Sequence, residues 1–298
     1  MAAMRVLSDA LFRLALLPVR LLGRLPLTVS RGVLRPLAPL LEGLMGRRRR
    51  VVERNLELCF PELDRGQRRA LRRAQFRNLS DSLAETALSW CRPGTLGDRY
   101  GELVGLQHLE TARVGGHGVL MLTAHVTCME LGARLVGERL QARAIYRPLR
   151  QAVLEEFQNQ GRARYAEGMI ARDDVRSMVR YLRSGGVLWY APDQDFGPER
   201  SRFAPFFGVP TATPTGLLDL VRLGRARVLP MYPLKLPDGR IRVHFEPAWD
   251  DYPSGDPEAD LGRFNAFVER HVRANPAQYW WLHRRFKTAP PGTLNRYA

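Results

Sequence analysis

In the stretch Thr123-Ala124-His125-Val126-Thr127-Cys128-Met129-Glu130-Leu131-Gly132 a histidine and a glutamate stand at a His-x4-Glu spacing, directly after the apolar run Gly118–Leu122. An imidazole can take the proton of an attacking hydroxyl on one ring nitrogen, while a carboxylate on the other nitrogen fixes the tautomer and stabilises the imidazolium that forms. On this reading His125 is a general base and Glu130 its orienter, and no serine or cysteine nucleophile is required. The plain alternative is a strand-end histidine beside a surface glutamate. Motifs this short recur by chance, so the surrounding residues must decide.

Other polar groups fall where a site at strand ends would need them. Tyr146-Arg147-Pro148 closes one strand candidate, Arg162 and Arg164 follow a short helix, and Arg172 and Arg176 lie beyond. A guanidinium at such a place can clamp a phosphate or carboxylate through two parallel N–H bonds. Ala191-Pro192-Asp193-Gln194-Asp195-Phe196-Gly197 closes another strand with two acids and an amide. Two carboxylates without a third ligand make a weak metal site, so an arginine is the simpler partner for Asp193 and Asp195 and no metal is expected. Cys59, Cys91 and Cys128 are widely spaced with no Cys-x2-Cys pair, which suggests neither a disulfide framework nor a zinc site.

The elements that must hold these groups alternate from about residue 101 onward. Strand candidates at 118–125, 142–147, 187–192, 227–236 and 241–246 are separated by helices, which predicts an α/β fold with a mixed, mostly parallel sheet flanked by helices. Pro237-Asp238-Gly239 between the last two strands reads as a hairpin turn, making that edge antiparallel. Upstream, helical spacing covers 51–58, stopped at Pro61, and 64–90, with Leu71, Phe76, Leu79, Leu83, Ala87 and Leu88 on its apolar side. A last helix is expected over 261–274. The run 201–216, with Phe203, Pro205, Phe206, Phe207 and Pro210, suits either the wall of an apolar groove or a core plug.

With 298 residues the chain accommodates one large α/β domain, here 46–298, and an attachment segment, 1–45. The formal net charge is +16, and of 46 basic residues only Lys235 and Lys287 are lysine. Residues 1–80 hold 17 arginines against six acids, so +11 of the +16 lies in about a quarter of the chain. Charge alone suits nucleic acid, anionic lipid or an acidic protein. Leucines interleaved with Arg13, Arg20 and Arg24 favour a membrane surface. At 100° per residue Arg13, Arg20, Arg24 and Arg31 fall within about 40° of one another, opposite a leucine-rich arc. The uncharged run Leu14–Val19 is far short of the ~20 residues that cross a bilayer. Pro18, Pro26 and Pro36 are expected to break this amphipathic stretch into two or three pieces. No clean apolar core or small-residue cleavage site marks a secretory signal. Tyr279-Trp280-Trp281-Leu282-His283-Arg284-Arg285-Phe286-Lys287 mixes aromatics with cations. Beside so amphipathic a front end this block reads as an interfacial belt, and nucleic acid is not an expected partner.

Taken together, these segments resemble the late acyltransferases of lipid A biosynthesis, the lauroyl and myristoyl transferase family of Gram-negative bacteria. The resemblance rests on six blocks spread in order from about residue 50 to residue 292. They are Asn55-Leu56-Glu57-Leu58-Cys59-Phe60-Pro61-Glu62, the His125-x4-Glu130 block, Tyr146-Arg147-Pro148, Trp189-Tyr190-Ala191-Pro192-Asp193-Gln194-Asp195-Phe196-Gly197, Pro205-Phe206-Phe207-Gly208 and Gln278-Tyr279-Trp280-Trp281-Leu282-His283-Arg284-Arg285-Phe286-Lys287-Thr288. It implies a glycerolipid-acyltransferase-like fold at the cytoplasmic face of the inner membrane. It also implies transfer of an acyl chain from acyl carrier protein, as a thioester, to the hydroxyl of a hydroxyacyl chain on a lipid A precursor, with no cofactor. By the same resemblance His125 is the base with Glu130 its partner. Arg162 and Asp193 position substrate or support an oxyanion, Arg164 competes for the arginine role, and Arg147, Gln194 and Asp195 join them in binding substrate. Glutamate at 130, rather than aspartate, fits the lipid A branch. A related acyltransferase with another phospholipid or glycolipid acceptor, or a noncatalytic basic lipid-binding protein, is the competing expectation.

Overall fold

Apolar residues at helical spacing, punctuated by proline, shape the first third of the chain. The computed structural model describes residues 2–297. In it α1 (Ala2–Arg24), α2 (Leu27–Leu34), α3 (Ala38–Leu44) and α4 (Gly46–Cys59) all pack on the long α5 (Arg65–Cys91). α5 starts at a reciprocal cap: the Asp64 carboxylate accepts from the Gln67 N–H while the Gln67 amide oxygen accepts from the Asp64 N–H. α1 crosses it at Gly23, where a Cβ would stand 2.2 Å from the Ala87 carbonyl oxygen, so only glycine allows this approach. Pro26 and Pro36 separate the front pieces as expected, but α1 runs unbroken through Pro18. The hydrogen bond that Pro18 cannot make would have reached the Leu14 carbonyl; both residues are exposed, and water can satisfy that carbonyl.

Arg31 departs from the expected arginine face. Its side chain is buried, with Nη2 2.7 Å from Glu85 Oε1 and Nη1 donating to the Gly239 carbonyl. Lys235 bonds Asp81 at 2.7 Å, and Arg35 reaches the same carboxylate. This buried ionic group ties α2 to α5 and to the sheet; removing one partner would leave an uncompensated buried charge.

Beyond α5 the chain alternates: β1 (Gly101–Val104), α6 (Gln107–Arg113), β2 (Val119–Leu122), α7 (Met129–Gly137), β3 (Arg143–Tyr146), α8 (Ala152–Arg162), β4 (Gly168–Ala171), α9 (Val175–Arg183) and β5 (Val187–Tyr190). Then follow β6 (Ser201–Phe206), β7 (Val209–Pro214), α10 (Gly216–Gly224), β8 (Arg227–Lys235), β9 (Ile241–Phe245) and α11 (Pro257–Ala274). Seven strands form one sheet in the order β1-β9-β8-β2-β5-β3-β4, parallel except for the β8–β9 pair. The fold is therefore α/β with a mixed, mostly parallel sheet flanked by helices, as expected. β2 lies between β5 and β8, and all four of its residues are fully buried, as a central parallel strand covered on both faces requires.

Two expectations are settled by packing. β6 and β7 form a separate antiparallel hairpin that turns at Phe207 and Gly208, both at positive φ. Phe206 and Phe207 are buried against Tyr279, Trp281 and Phe286, so this run is a core plug. The block 279–287 is likewise interior rather than an interfacial belt: Tyr279, Trp281, Leu282, Arg285 and Phe286 are buried, and Arg285 donates to Ala212 O, Thr213 Oγ1 and Asn265 Oδ1. A core that closes over these aromatics leaves few of them for a lipid surface.

Candidate active site

Register brings the central pair together. In the parallel β2–β5 ladder Leu122 is opposite Tyr190, and the Thr123 N–H extends the pairing to the Tyr190 carbonyl. Three residues past each partner stand His125 and Asp193, both at the carboxyl ends of neighbouring central strands, where open α/β sheets place their sites. His125 Nδ1 lies 2.5 Å from Asp193 Oδ1, and the His125 backbone N–H donates to Oδ2 at 3.0 Å. The carboxylate therefore holds ring and backbone together. The loop is clamped from the other side by the C-terminal block: Trp280 N–H donates to His125 O, Thr127 N–H to Gln278 O, and Val126 bridges Tyr279.

Asp193 is almost fully buried, which by itself pushes its carboxyl up. The charge and hydrogen bond of His125 outweigh this, helped by His283 and the His125 N–H, and leave it at about 2. An ionised Asp193 takes the Nδ1 proton as a hydrogen bond, so the lone pair of neutral His125 is on Nε2. That nitrogen accepts from the Gln194 side-chain amide at 3.0 Å. The His125 side chain keeps 25% of its exposure. His283 packs edge-to-face on it, with ring centroids 5.4 Å apart. Burial first, and then the charge of His125, lower His283 to about 4.

Glu130 is not the orienter. It sits in the first turn of α7 and turns onto α5 and α8, where its carboxylate pairs with the Arg162 guanidinium and accepts from Trp90 Nε1 at 2.8 Å and the Tyr165 hydroxyl at 3.1 Å. The four-residue gap between His125 and Glu130 is not a strand-to-helix elbow that folds back on the imidazole. A loop intervenes, and the buried Cys128 precedes the helix. Burial raises the Glu130 carboxyl, but the charge and hydrogen bond of Arg162, with the Trp90 and Tyr165 bonds, bring it below its ordinary value.

His125, Glu130, Arg147, Arg162 and Gln194 all line one cavity of about 770 Å³, within the range of ligand pockets. Its interior is apolar, with Ala133, Val136, Ile145, Met169, Met178 and Leu220, while Arg147, Arg172 and Arg200 are exposed residues of its lining. Two expected binders are elsewhere. Arg164 is exposed outside this lining and donates to the Trp90 carbonyl at 2.8 Å. The Asp195 carboxylate is buried and accepts from Thr288 N–H, Thr288 Oγ1 and Gly197 N–H, which makes it a tether of the C-terminal block. Among the described residues no three His, Cys, Asp or Glu side chains converge on a metal-sized site. Trp90, Tyr165 and His283 belong to the site and were not singled out by the sequence. The only trace of them there is His283 within the last motif block and Trp90 at a helix end.

Residues 2–288 match the family model for bacterial lipid A biosynthesis acyltransferases. The chain is 37% identical over 255 residues to the lipid A biosynthesis lauroyltransferase of Escherichia coli K12, covering 85% of this chain and 83% of that protein. It is 35% identical to the palmitoleoyltransferase of the same organism, over 84% of this chain and 82% of the other, and 31% identical to its myristoyltransferase, over 86% and 79%. Among solved structures the 1-acyl-sn-glycerophosphate acyltransferase of Thermotoga maritima aligns with 83% of this chain and 97% of its own at 14% identity and a TM-score of 0.36, too low to argue from. By this family match and these relatives, the chain belongs to the bacterial lipid A biosynthesis acyltransferases.

Proposed function

We propose that this acyltransferase moves a fatty acyl chain from the thioester of acyl carrier protein to a hydroxyl of a hydroxyacyl chain on a lipid A precursor. His125 is the base and Asp193 its orienter. The observation that carries this reading is the Asp193–His125 pair at the edge of an apolar cavity, with Nδ1 held at 2.5 Å and Nε2 turned to a cavity-lining side chain.

The acceptor hydroxyl binds at Nε2 and attacks the thioester carbonyl carbon as its proton passes to that nitrogen. The C=O electrons move onto oxygen. On collapse the C–S bond breaks, and the Nε2 proton goes to the departing sulfur. Asp193 stabilises the imidazolium between the two proton transfers. Arg162, held against Glu130, supplies a fixed cation on the cavity wall. The apolar interior takes an acyl chain, each buried methylene contributing about 0.8 kcal/mol.

Lipid reaches the cavity from the bilayer surface on this proposal. Leu14, Leu21, Leu40 and Leu44 are 60% exposed or more, on the outer face of α1 and α3 beside exposed Arg13, Arg20 and Arg24. Large apolar side chains exposed in this way suit an apolar surface, and cations beside them suit anionic headgroups. α1 packs through Leu16 on Val153 and Phe157 of α8, the helix that carries Arg162. No helix of the described residues is long and apolar enough to cross a membrane. The protein then lies on the cytoplasmic face of the inner membrane, with residues 1–45 as its attachment.

His125→Ala, purified in detergent, should abolish transfer from lauroyl-, myristoyl- and palmitoleoyl-acyl carrier protein to a lipid A precursor while keeping wild-type α-helical circular dichroism; its melting temperature should fall, because buried Asp193 loses its ring partner. Turnover by His125→Ala within tenfold of wild type would refute the assignment.

A further inference from the structure

We propose that Gln194 is a catalytic residue, resting on the reaction proposed above. Its amide caps His125 Nε2 in the free enzyme, is displaced by the acceptor hydroxyl, and then donates its N–H to the oxyanion of the tetrahedral intermediate.

The placement starts with its neighbours. Asp193 is fastened to His125 by two hydrogen bonds, and Asp195 is fastened to Thr288 by two and to Gly197 by one. With the residues on both sides immobilised, the Gln194 backbone is pinned at the strand end and its side chain alone is free to move. That side chain lines the cavity and is half-buried, with its amide nitrogen 3.0 Å from Nε2.

A base must meet its proton at hydrogen-bond distance, so the oxygen of the acceptor hydroxyl has to lie about 3 Å from Nε2. Gln194 occupies that place. Entry of the hydroxyl therefore requires the amide to rotate aside, and its short tether keeps it next to the reacting atoms. The thioester carbon then sits about 3–3.5 Å from the attacking oxygen. The carbonyl oxygen that gains charge lies one bond further, within the sweep of the displaced amide. Several donors near the site are engaged elsewhere: Arg162 turns Nη2 and Nε to Glu130, and Trp90 and Tyr165 donate to the same carboxylate. Gln194 is the donor in contact with the reacting nitrogen itself. Charge develops on the carbonyl oxygen only after attack, so this bond strengthens in the transition state and leaves ground-state binding nearly unchanged.

Gln194→Met keeps the length of the side chain and removes both donors; Gln194→Glu keeps the shape and replaces the donor by an acceptor. The full-length protein is assayed with lauroyl-acyl carrier protein and a lipid A precursor with a free hydroxyacyl chain. Gln194→Met should lower kcat by roughly 10²-fold. KM for the acceptor should stay the same or fall, because the hydroxyl no longer competes with a cap. Gln194→Glu should also lower kcat, and the acid limb of its pH profile should move upward, since a carboxylate beside Nε2 favours the imidazolium. A Gln194→Met enzyme with wild-type or higher kcat overturns the proposal, as does a Gln194→Glu profile that does not move. If the wild-type protein transfers from none of the lauroyl, myristoyl or palmitoleoyl donors, the underlying reaction is wrong and this role falls with it. If wild type is active and the variants match it, Gln194 alone is refuted.

Discussion

Asp193→Asn tests whether one carboxylate needs both of its oxygens. Oδ1 accepts from His125 Nδ1 at 2.5 Å and Oδ2 from the His125 N–H at 3.0 Å. Asparagine offers one acceptor oxygen and one donor group to these two positions. If its oxygen stays with the backbone N–H, its NH2 faces Nδ1, and the ring must move its proton to Nε2, where it can no longer act as a base. If its oxygen goes to Nδ1, the backbone N–H loses its partner and the imidazolium loses its counter-charge. Either way kcat should fall roughly 10³–10⁴-fold with KM little changed, the scale expected when a triad tautomer is reversed. Stability should respond too. The carboxyl goes from an ordinary 3.8 to about 2 in the fold, a difference of about 2 kcal/mol. A depressed carboxyl contributes fully above its unfolded value and loses that contribution as pH falls through its folded value. The melting temperatures of wild type and Asp193→Asn should therefore differ at pH 7 and converge between about pH 4 and pH 2. Steady-state kinetics and thermal denaturation on the same preparations decide the matter. Asp193→Asn with more than a tenth of wild-type kcat, or a stability gap that does not close on acidification, would refute the assignment of Asp193 as orienter.

Glu130→Gln leaves the partly buried Arg162 cation without its counter-charge and should destabilise the fold by about 3 kcal/mol; adding Arg162→Met should restore much of the melting temperature but not the activity. His283 is held near 4 in the fold against about 6.5 when unfolded, so between these values the unfolded chain binds a proton that the folded one refuses. Stability should then drop by up to about 3 kcal/mol as pH falls from 6.5 to 4, and His283→Gln should flatten that slope in denaturant titrations. Replacing Leu14, Leu21 and Leu40 with serine removes about 1 kcal/mol of partial burial each, for a roughly hundredfold weaker partition onto anionic vesicles, with α-helical circular dichroism unchanged.

Period and turn chemistry were enough for much of the architecture. The five expected strands all exist, each somewhat shorter than its expected range, and Pro237-Asp238-Gly239 does make the antiparallel turn between β8 and β9. β1 and β4 were not foreseen because edge strands of four residues are too short to carry a period-2 signal. The β6–β7 hairpin was hidden by Pro205, Pro210 and Pro214, which mark a sheet that needs few ladder donors. The aromatic block 279–287 was misjudged from composition: basic and aromatic residues look alike at a membrane and in a core whose cations are paired. Arg285 is paired with Ala212, Thr213 and Asn265.

The choice of Glu130 over Asp193 has a more general cause. Sequence proximity favours a partner on the same loop, yet here the strand's lateral neighbour lies 68 residues away in the chain. β2 and β5 are joined only through α7, β3, α8, β4 and α9, and no local pattern announces that they are adjacent. Once they are, equal offsets from the paired residues Leu122 and Tyr190 leave His125 and Asp193 side by side. Glu130, carried past the imidazole by the turn into α7, meets a cation instead. Its pairing with Arg162 ties the start of α7 to the end of α8, on the lining of the cavity that His125 also faces. On the proposed mechanism, the motif thus joins two residues with separate tasks: the imidazole is oriented by a carboxylate from a strand the motif does not contain, and the motif's own carboxylate pairs with a cation of the cavity wall.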